Sequence, residues 1–231
     1  MKFTIPALIL IFAFSFSVAQ IHLPNATYTQ DFTSLANSGT SGTLPTGWLL
    51  SESGTNANAL YSGGTGSSGT GDTYSFGIVG VNPITDRAFG CLQSSSLVPI
   101  IGASFINATG GTISALSITY TGEQWRMGNI NRTDSLDFQY STSATSLSTG
   151  TWTDVDALDF TAPTKAGPVG ALDGNAPANR TVKSFTITGL SMAPGTGFFI
   201  RWTDFNASGA DDGLAIDDFS ILPTSSIGAS L

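Results

Sequence analysis

Residues 114–125 read SALSITYTGEQW, and in them Leu116, Ile118 and Tyr120 alternate with Ser117, Thr119 and Thr121. A period of two places the apolar set on one face and the hydroxyls on the other, the pattern of a β-strand with one dry and one wet side. Helix formers are scarce: the chain holds two glutamates, Glu52 and Glu123, and no stretch carries apolar residues at helical spacing. Working outward, comparable short strands are expected at 28–32, 48–52, 74–77, 88–93, 136–141, 184–190, 198–205 and 214–222, punctuated by Gly, Pro, Asn and Ser. So many strands with long irregular links predict an all-β chain, two antiparallel sheets packed as a jelly-roll sandwich.

The first residues carry one cation, Lys2, then an apolar run over 5–18 that closes on Ser17-Val18-Ala19. That is the pattern of a secretory signal peptide over residues 1–19. The run is shorter than the roughly 20 residues that cross a bilayer, and no second run of spanning length follows, so no transmembrane segment is expected in the mature chain. Residues 20–223 are expected to form the sandwich domain and 224–231 a tail or linker. The stretch SGGTGSSGTGD at 62–72 reads as a flexible surface loop.

Charged residues are 10 % of the chain, the formal charge is −8, and the five arginines are scattered singly at 87, 126, 132, 180 and 201. A phosphate backbone finds no basic stripe, which excludes nucleic acid as a partner. Cys91 is the one cysteine, set among apolar neighbours, so it forms no internal disulfide and reads as a buried thiol. An exported chain without disulfides points to a bacterial source, secreted or held at the cell surface. His22 is the one histidine and sits in what is expected to be a loose N-terminal segment. Histidine-based triads and ordinary zinc sites are thereby excluded. A jelly-roll glycosidase or polysaccharide lyase needs two carboxylates; Glu52 and Glu123 fall on distant strands, so Glu123 would have to work with an aspartate.

The densest group of functional residue types is RWTDFNASGADDGLAIDDFSI at 201–221. Asp204, Asn206 and Ser208 alternate before Gly209, an arrangement in which oxygens converge on calcium around a turn, and Asp211 and Asp212 stand ready to supply further oxygens. An ordinary turn with Asx-type caps is the other reading. Asp217 and Asp218 interrupt a strand whose Leu214, Ile216, Phe219 and Ile221 belong to the core. Two adjacent carboxylates beside a shifted alternation predict a β-bulge with at least one of them drawn inward, where it needs a cation or hydrogen-bond donors.

TYTQDFTSLANS at 27–38, LPTGW at 44–48 and the closing DDGLAIDDFSI at 211–221 resemble the first and last strands of a MAM-like, concanavalin-A-like jelly-roll. GDTYSFG, TDRAFGCLQS, TYTGEQWR and LDFQYSTSATSLSTGTWTDVDALDF, between them, are similar to an accessory domain of secreted multidomain bacterial proteins. The resemblance implies a structural calcium between the first and last strands, with Asp31 and Asp217 as its ligands.

If Leu116, Ile118 and Tyr120 face the core, then Thr119, Thr121, Glu123 and Trp125 line the opposite face, and Asp137 and Gln139 extend it. An aromatic ring beside polar groups is what a sugar site requires, while the alternative is a wet face with Trp125 shielded by Arg126 or a loop. The expected function is a non-catalytic extracellular binding or adhesion module, carbohydrate-binding with a structural calcium, whose partner is a glycan or cell-surface component. The alternative is a jelly-roll glycosidase or polysaccharide lyase.

Overall fold

The computed structural model describes residues 19–78 and 86–226. The signal-peptide expectation and the end of the expected tail lie outside the described residues. In chain order the strands are β1 (Ile21–Leu23), β2 (Tyr28–Gln30), β3 (Thr40–Ser41), β4 (Trp48–Ser53), β5 (Tyr61–Gly64), β6 (Asp72–Phe76), β7 (Ala88–Leu92) and β8 (Val98–Asn107). They continue with β9 (Thr112–Met127), β10 (Ser135–Ser141), β11 (Thr153–Asp154), β12 (Phe160–Thr161), β13 (Gly170–Ala171), β14 (Arg180–Met192), β15 (Gly197–Asp204) and β16 (Gly213–Ser226). Helix among the described residues is confined to two single 3-10 turns, at Asp156–Leu158 and Pro177–Asn179. None of them holds a helix long and apolar enough to cross a membrane.

The strands form two sheets that pack as a sandwich. A seven-stranded sheet runs β1-β8-β15-β10-β11, with β4 on β8 and β12 on β10. A nine-stranded sheet runs β13-β9-β16-β7-β6-β5-β3, with β14 on β9 and β2 on β16. Pairing is antiparallel except at two short places, β1 on β8 and β5 on β6, which make both sheets mixed.

The alternation in residues 114–125 behaves as its chemistry demands. Leu116, Ile118 and Tyr120 are fully buried between the sheets with Ile101, Phe105, Phe138, Phe198, Ile200, Ile216 and Ile221. Trp202 sits in the middle, stacked on Trp48 at 6.2 Å and meeting Tyr120, Phe138 and Phe219 edge-on at 5.3, 5.1 and 5.9 Å. Burying rings of this size contributes the larger part of the apolar stabilisation in such a core.

Four expectations are corrected. Residues 98–107 form the central β8, missed because VPIIGASFIN is buried along nearly its whole length and shows no alternation. The glycine-rich stretch at 62–72 is not a free loop, because its start is β5 and Arg126 Nη1 donates to the carbonyls of Gly66 and Ser67. His22 is exposed but lies within β1, paired to β8. β16 continues through Ser226, paired to β9, so the strand reaches into the expected tail.

The expected bulge is present. The register between β16 and β9 shifts between Asp217 and Ser220, and Asp218 has φ +49°. Asp217 is buried on the side of β16 that carries Ala215, opposite Thr121 of β9, and Asp218 is exposed.

Candidate functional site

Glu123 and Trp125 lie on the outer face of the nine-stranded sheet, as the alternation requires, but neither is open to solvent. Trp125 is 1 % exposed. Its indole stacks flat on Phe76, with centroids 6.1 Å apart and planes 4° from parallel, and Phe76 in turn stacks on Tyr74. The chain around Gly174 closes over it: a Cβ there would stand 2.3 Å from the indole ring. Trp125 is therefore part of a second, smaller apolar cluster with Tyr74, Phe76, Ala88, Leu92 and Ala215, and offers no stacking surface to a sugar. Single-strand alternation shows which way a side chain points but not what folds across it.

Trp125 Nε1 donates to Glu123 Oε2 at 2.9 Å. Across the sheet Glu123 stands opposite Ala215 of β16 and Arg180 of β14, while Asp217 stands opposite Thr121. Burial pushes the Glu123 carboxyl up to about 7, with the Trp125 hydrogen bond opposing; Asp86 and Asp218 push it further and Arg180 holds it back. Burial pushes Asp217 up to about 9, and the neighbouring Glu123 charge adds to it. Asp217 Oδ1 also accepts the Asp218 N–H at 2.7 Å. At neutral pH the pair therefore holds at least one proton, an arrangement able to donate from one carboxyl while the other accepts.

Asp31 does not join this pair. Asp31 lines a shallow recess of about 300 Å³ with Thr29, Gln30, Asp218 and Phe219, because the bulge brings Asp218 to the β2 side and leaves Asp217 facing Glu123. Its Oδ1 accepts the N–H and hydroxyl of Thr33 at 3.3 and 3.1 Å. Among the described residues, no three Asp, Glu, His or Cys side chains converge closely enough to hold a metal ion between them.

The second acidic group also divides. Asp211 and Asp212 are buried, whereas Asn206 is exposed. They gather with Asp134 around Arg132, at 3.0 Å to Asp134, 3.1 Å to Asp212 and 3.8 Å to Asp211. Asp212 further accepts the Gly128 N–H at 2.7 Å and the Gln124 amide at 2.8 Å, and Asp134 accepts the Asp212 N–H at 2.7 Å. Burial, with Asp134 nearby, raises Asp211 to about 6. Asp204 is buried at the end of β15, its carboxyl held well above the usual range by burial and then by Asp134 and Asp211. Arg132 and Asp134 were not singled out from the sequence; an Arg-x-Asp spacing carries no signal until the register of β9, β10 and β16 brings it to the aspartates.

Asp137 and Gln139 alternate outward as expected, but on β10 of the seven-stranded sheet, so they do not extend the Glu123 face. They belong to a different group. Gln139 stands opposite Arg201 of β15 and Asp154 of β11. Arg201 Nε donates to Gln139 Oε1 at 2.6 Å, Gln139 Nε2 donates to Asp154, and Arg201 Nη1 donates to the Leu147 carbonyl. The guanidinium lies 3.9 Å from the centroid of the Trp152 ring, a cation–π stack, and Trp152 Nε1 is tied to the Thr149 carbonyl at 2.9 Å. Trp152, Arg201, Gln139 and Asp137 are half-exposed and Asp154 is exposed. Three strands and one loop thus present an indole edge, a guanidinium, an amide and two carboxylates on one outer face.

No family model and no curated protein sequence matches the chain. Among solved structures, it is similar to the CBM22-1 xylan-binding domain of Paenibacillus barcinonensis, at 8 % identity and TM-score 0.42, covering 88 % of this chain and 98 % of that one. It is similar to the K1 cleaved adhesin domain of Lys-gingipain from Porphyromonas gingivalis, at 11 % identity and TM-score 0.45, covering 85 % and 97 %. A third similar structure is the enzymatically active domain of bacteriophage CBA120 tailspike protein 4, at 12 % identity and TM-score 0.39, where the match covers 77 % of this chain but spans 19 % of the other.

Proposed function

We propose that this chain is a non-catalytic binding module of an exported protein, that its ligand is a glycan, and that the glycan docks on the outer face of the seven-stranded sheet. The observation that supports it is the Trp152–Arg201–Gln139–Asp154 network. Its polar groups are held by one another and by the backbone before any ligand arrives, so little side-chain freedom is left to lose on binding. The apolar run at 5–18 supports export. Calcium enters this reading only as a structural ion. The Asp31 and Asp217 pairing does not fit one, because Asp31 faces Asp218. Titrating the mature protein with a panel of soluble polysaccharides tests the proposal: binding that Trp152→Ala weakens at least tenfold supports it, and a polysaccharide that binds both proteins equally moves the site elsewhere.

A second reading is a hydrolase or lyase, favoured by Glu123 and Asp217 standing together with raised proton affinities. Release of reducing ends or unsaturated products that Glu123→Gln abolishes would establish it over the binding module.

A further inference from the structure

Cleavage after Ala19, where the Ser17-Val18-Ala19 pattern ends, makes Gln20 the first residue of the exported chain and gives it a free α-amine. An amine in that position can react with its own side chain. The nitrogen attacks Cδ of the Gln20 carboxamide, the N–Cδ bond forms as the Cδ–Nε2 bond breaks, and Nε2 leaves as ammonia with the proton that the amine gives up. The product is a neutral pyroglutamate lactam, and no oxidant or co-reactant is required.

In the folded chain the leaving nitrogen is already engaged. Gln20 Nε2 donates to Ser104 Oγ at 3.0 Å and to the Phe105 carbonyl at 3.2 Å, both on β8. Ser104 is fully buried and Gln20 half-buried. The next residue, Ile21, stands opposite Phe105 in the parallel pairing of β1 with β8. Two glycines leave room for this arrangement: a Cβ on Gly197 would come within 3.1 Å of Nε2, and one on Gly47 within 2.5 Å of Ile21 Cγ1. A carboxamide held on the neighbouring strand cannot at the same time curl back onto its own amine, so ring closure first has to break both hydrogen bonds and lift the start of β1.

We propose that Gln20 is a modification site controlled by the fold: the unfolded exported chain cyclises it to pyroglutamate, and docking of β1 on β8 stops the reaction and keeps the carboxamide as a structural donor. The inference rests on the export proposed above and is independent of the glycan face. β1 is three residues long, so it opens by local fraying and protection is partial. The two hydrogen bonds to β8 should slow cyclisation at least about tenfold. A lactam formed before folding has lost Nε2, which leaves Ser104 Oγ and the Phe105 carbonyl without that donor and β1 held less firmly.

The test follows loss of ammonia from the N-terminal peptide by mass spectrometry, on mature protein freshly released from a cleavable fusion so that Gln20 is its first residue. The protein is held at about pH 8, where about half of an α-amino group is uncharged, in buffer and in guanidinium chloride. Cyclisation should be at least about tenfold faster in the denaturant. Ser104→Ala removes one acceptor and Gly197→Ala crowds Nε2, so each variant should cyclise faster than the unsubstituted protein in buffer and at the same rate as it in denaturant. Melting midpoints show whether the variants are folded, and Gly197→Ala decides the matter if the Ser104 variant is not. Equal rates in buffer and denaturant, or folded variants that cyclise no faster in buffer, overturn the proposal. So does a protein exported on its own leader whose N-terminal residue, as glutamine or as lactam, is not at position 20, a result that leaves the glycan face untouched.

Discussion

Trp125 donates its indole N–H to Glu123 two residues back on the same face of β9, at 2.9 Å, and both side chains are buried, the indole beneath the chain around Gly174. The bond satisfies the one polar atom of the indole inside an apolar cluster and gives Glu123 a donor that partly offsets its burial. Trp125→Ala should therefore act on stability, destabilising by about 3–5 kcal/mol as large-to-small changes at buried aromatics do. Denaturant melts measure it. A variant within about 1 kcal/mol of wild type would show the indole to be peripheral to the fold.

What the sequence carried and what it withheld follow from range. Alternation is local, so the core faces of β9, β10 and β16 were legible from Leu116, Phe138 and Ile216, and so was the bulge at Asp217 and Asp218. Pairing is not local. Nothing in the order of residues announces that Gln139 meets Arg201, 62 positions away, or that Asp137 and Glu123 fall on different sheets. Coverage is not local either, which is why Trp125 read as a candidate platform while Trp152, in a Ser/Thr-rich loop, did not. Asp204 and Asp211 were picked out by spacing, but Gln93, whose N–H Asp204 accepts, and Arg132, the counter-ion of Asp211, come from connections far away in the chain.

Stability should fall with rising pH through the range set by Asp217 and Glu123. Both carboxyls are raised on folding, to about 9 and about 7, so the native state binds more protons than the unfolded chain between the ordinary carboxylate range and those values. Stability is then fully present below the unfolded pKa and is lost as pH climbs to the folded one, by at most about 1.4 kcal/mol per pH unit for each proton. Melting midpoints between pH 5 and pH 9 give the slope. Asp217→Asn, which imitates the protonated acid, should flatten it, and an unchanged slope would mean that Asp217 ionises normally.

Arg132 is the counter-ion for a buried acidic group, and removing it leaves Asp134, Asp211 and Asp212 without their guanidinium. Breaking one side of a buried pair in this way destabilises by about 3–5 kcal/mol. Arg132→Met should show a loss of that order at neutral pH that shrinks under mild acid, as the carboxylates protonate. A loss that does not depend on pH would assign the effect to packing of the arginine stem.

Arg201 should separate charge from geometry on the proposed glycan face. Its guanidinium stacks on Trp152 and donates to both Gln139 and the Leu147 carbonyl, three contacts that need a planar group with several N–H donors fixed at its edge. A lysine keeps the positive charge but is a point charge on a flexible stem, so it cannot make all three at once. Arg201→Lys should therefore free Trp152 and Gln139 and weaken glycan binding about as much as Arg201→Ala, while both variants remain folded because the face is half-exposed. Titration with the polysaccharide that binds the wild type reads this directly. If lysine retains full affinity and alanine does not, the face attracts its ligand by charge alone, and the preorganised network is not what recognises the sugar.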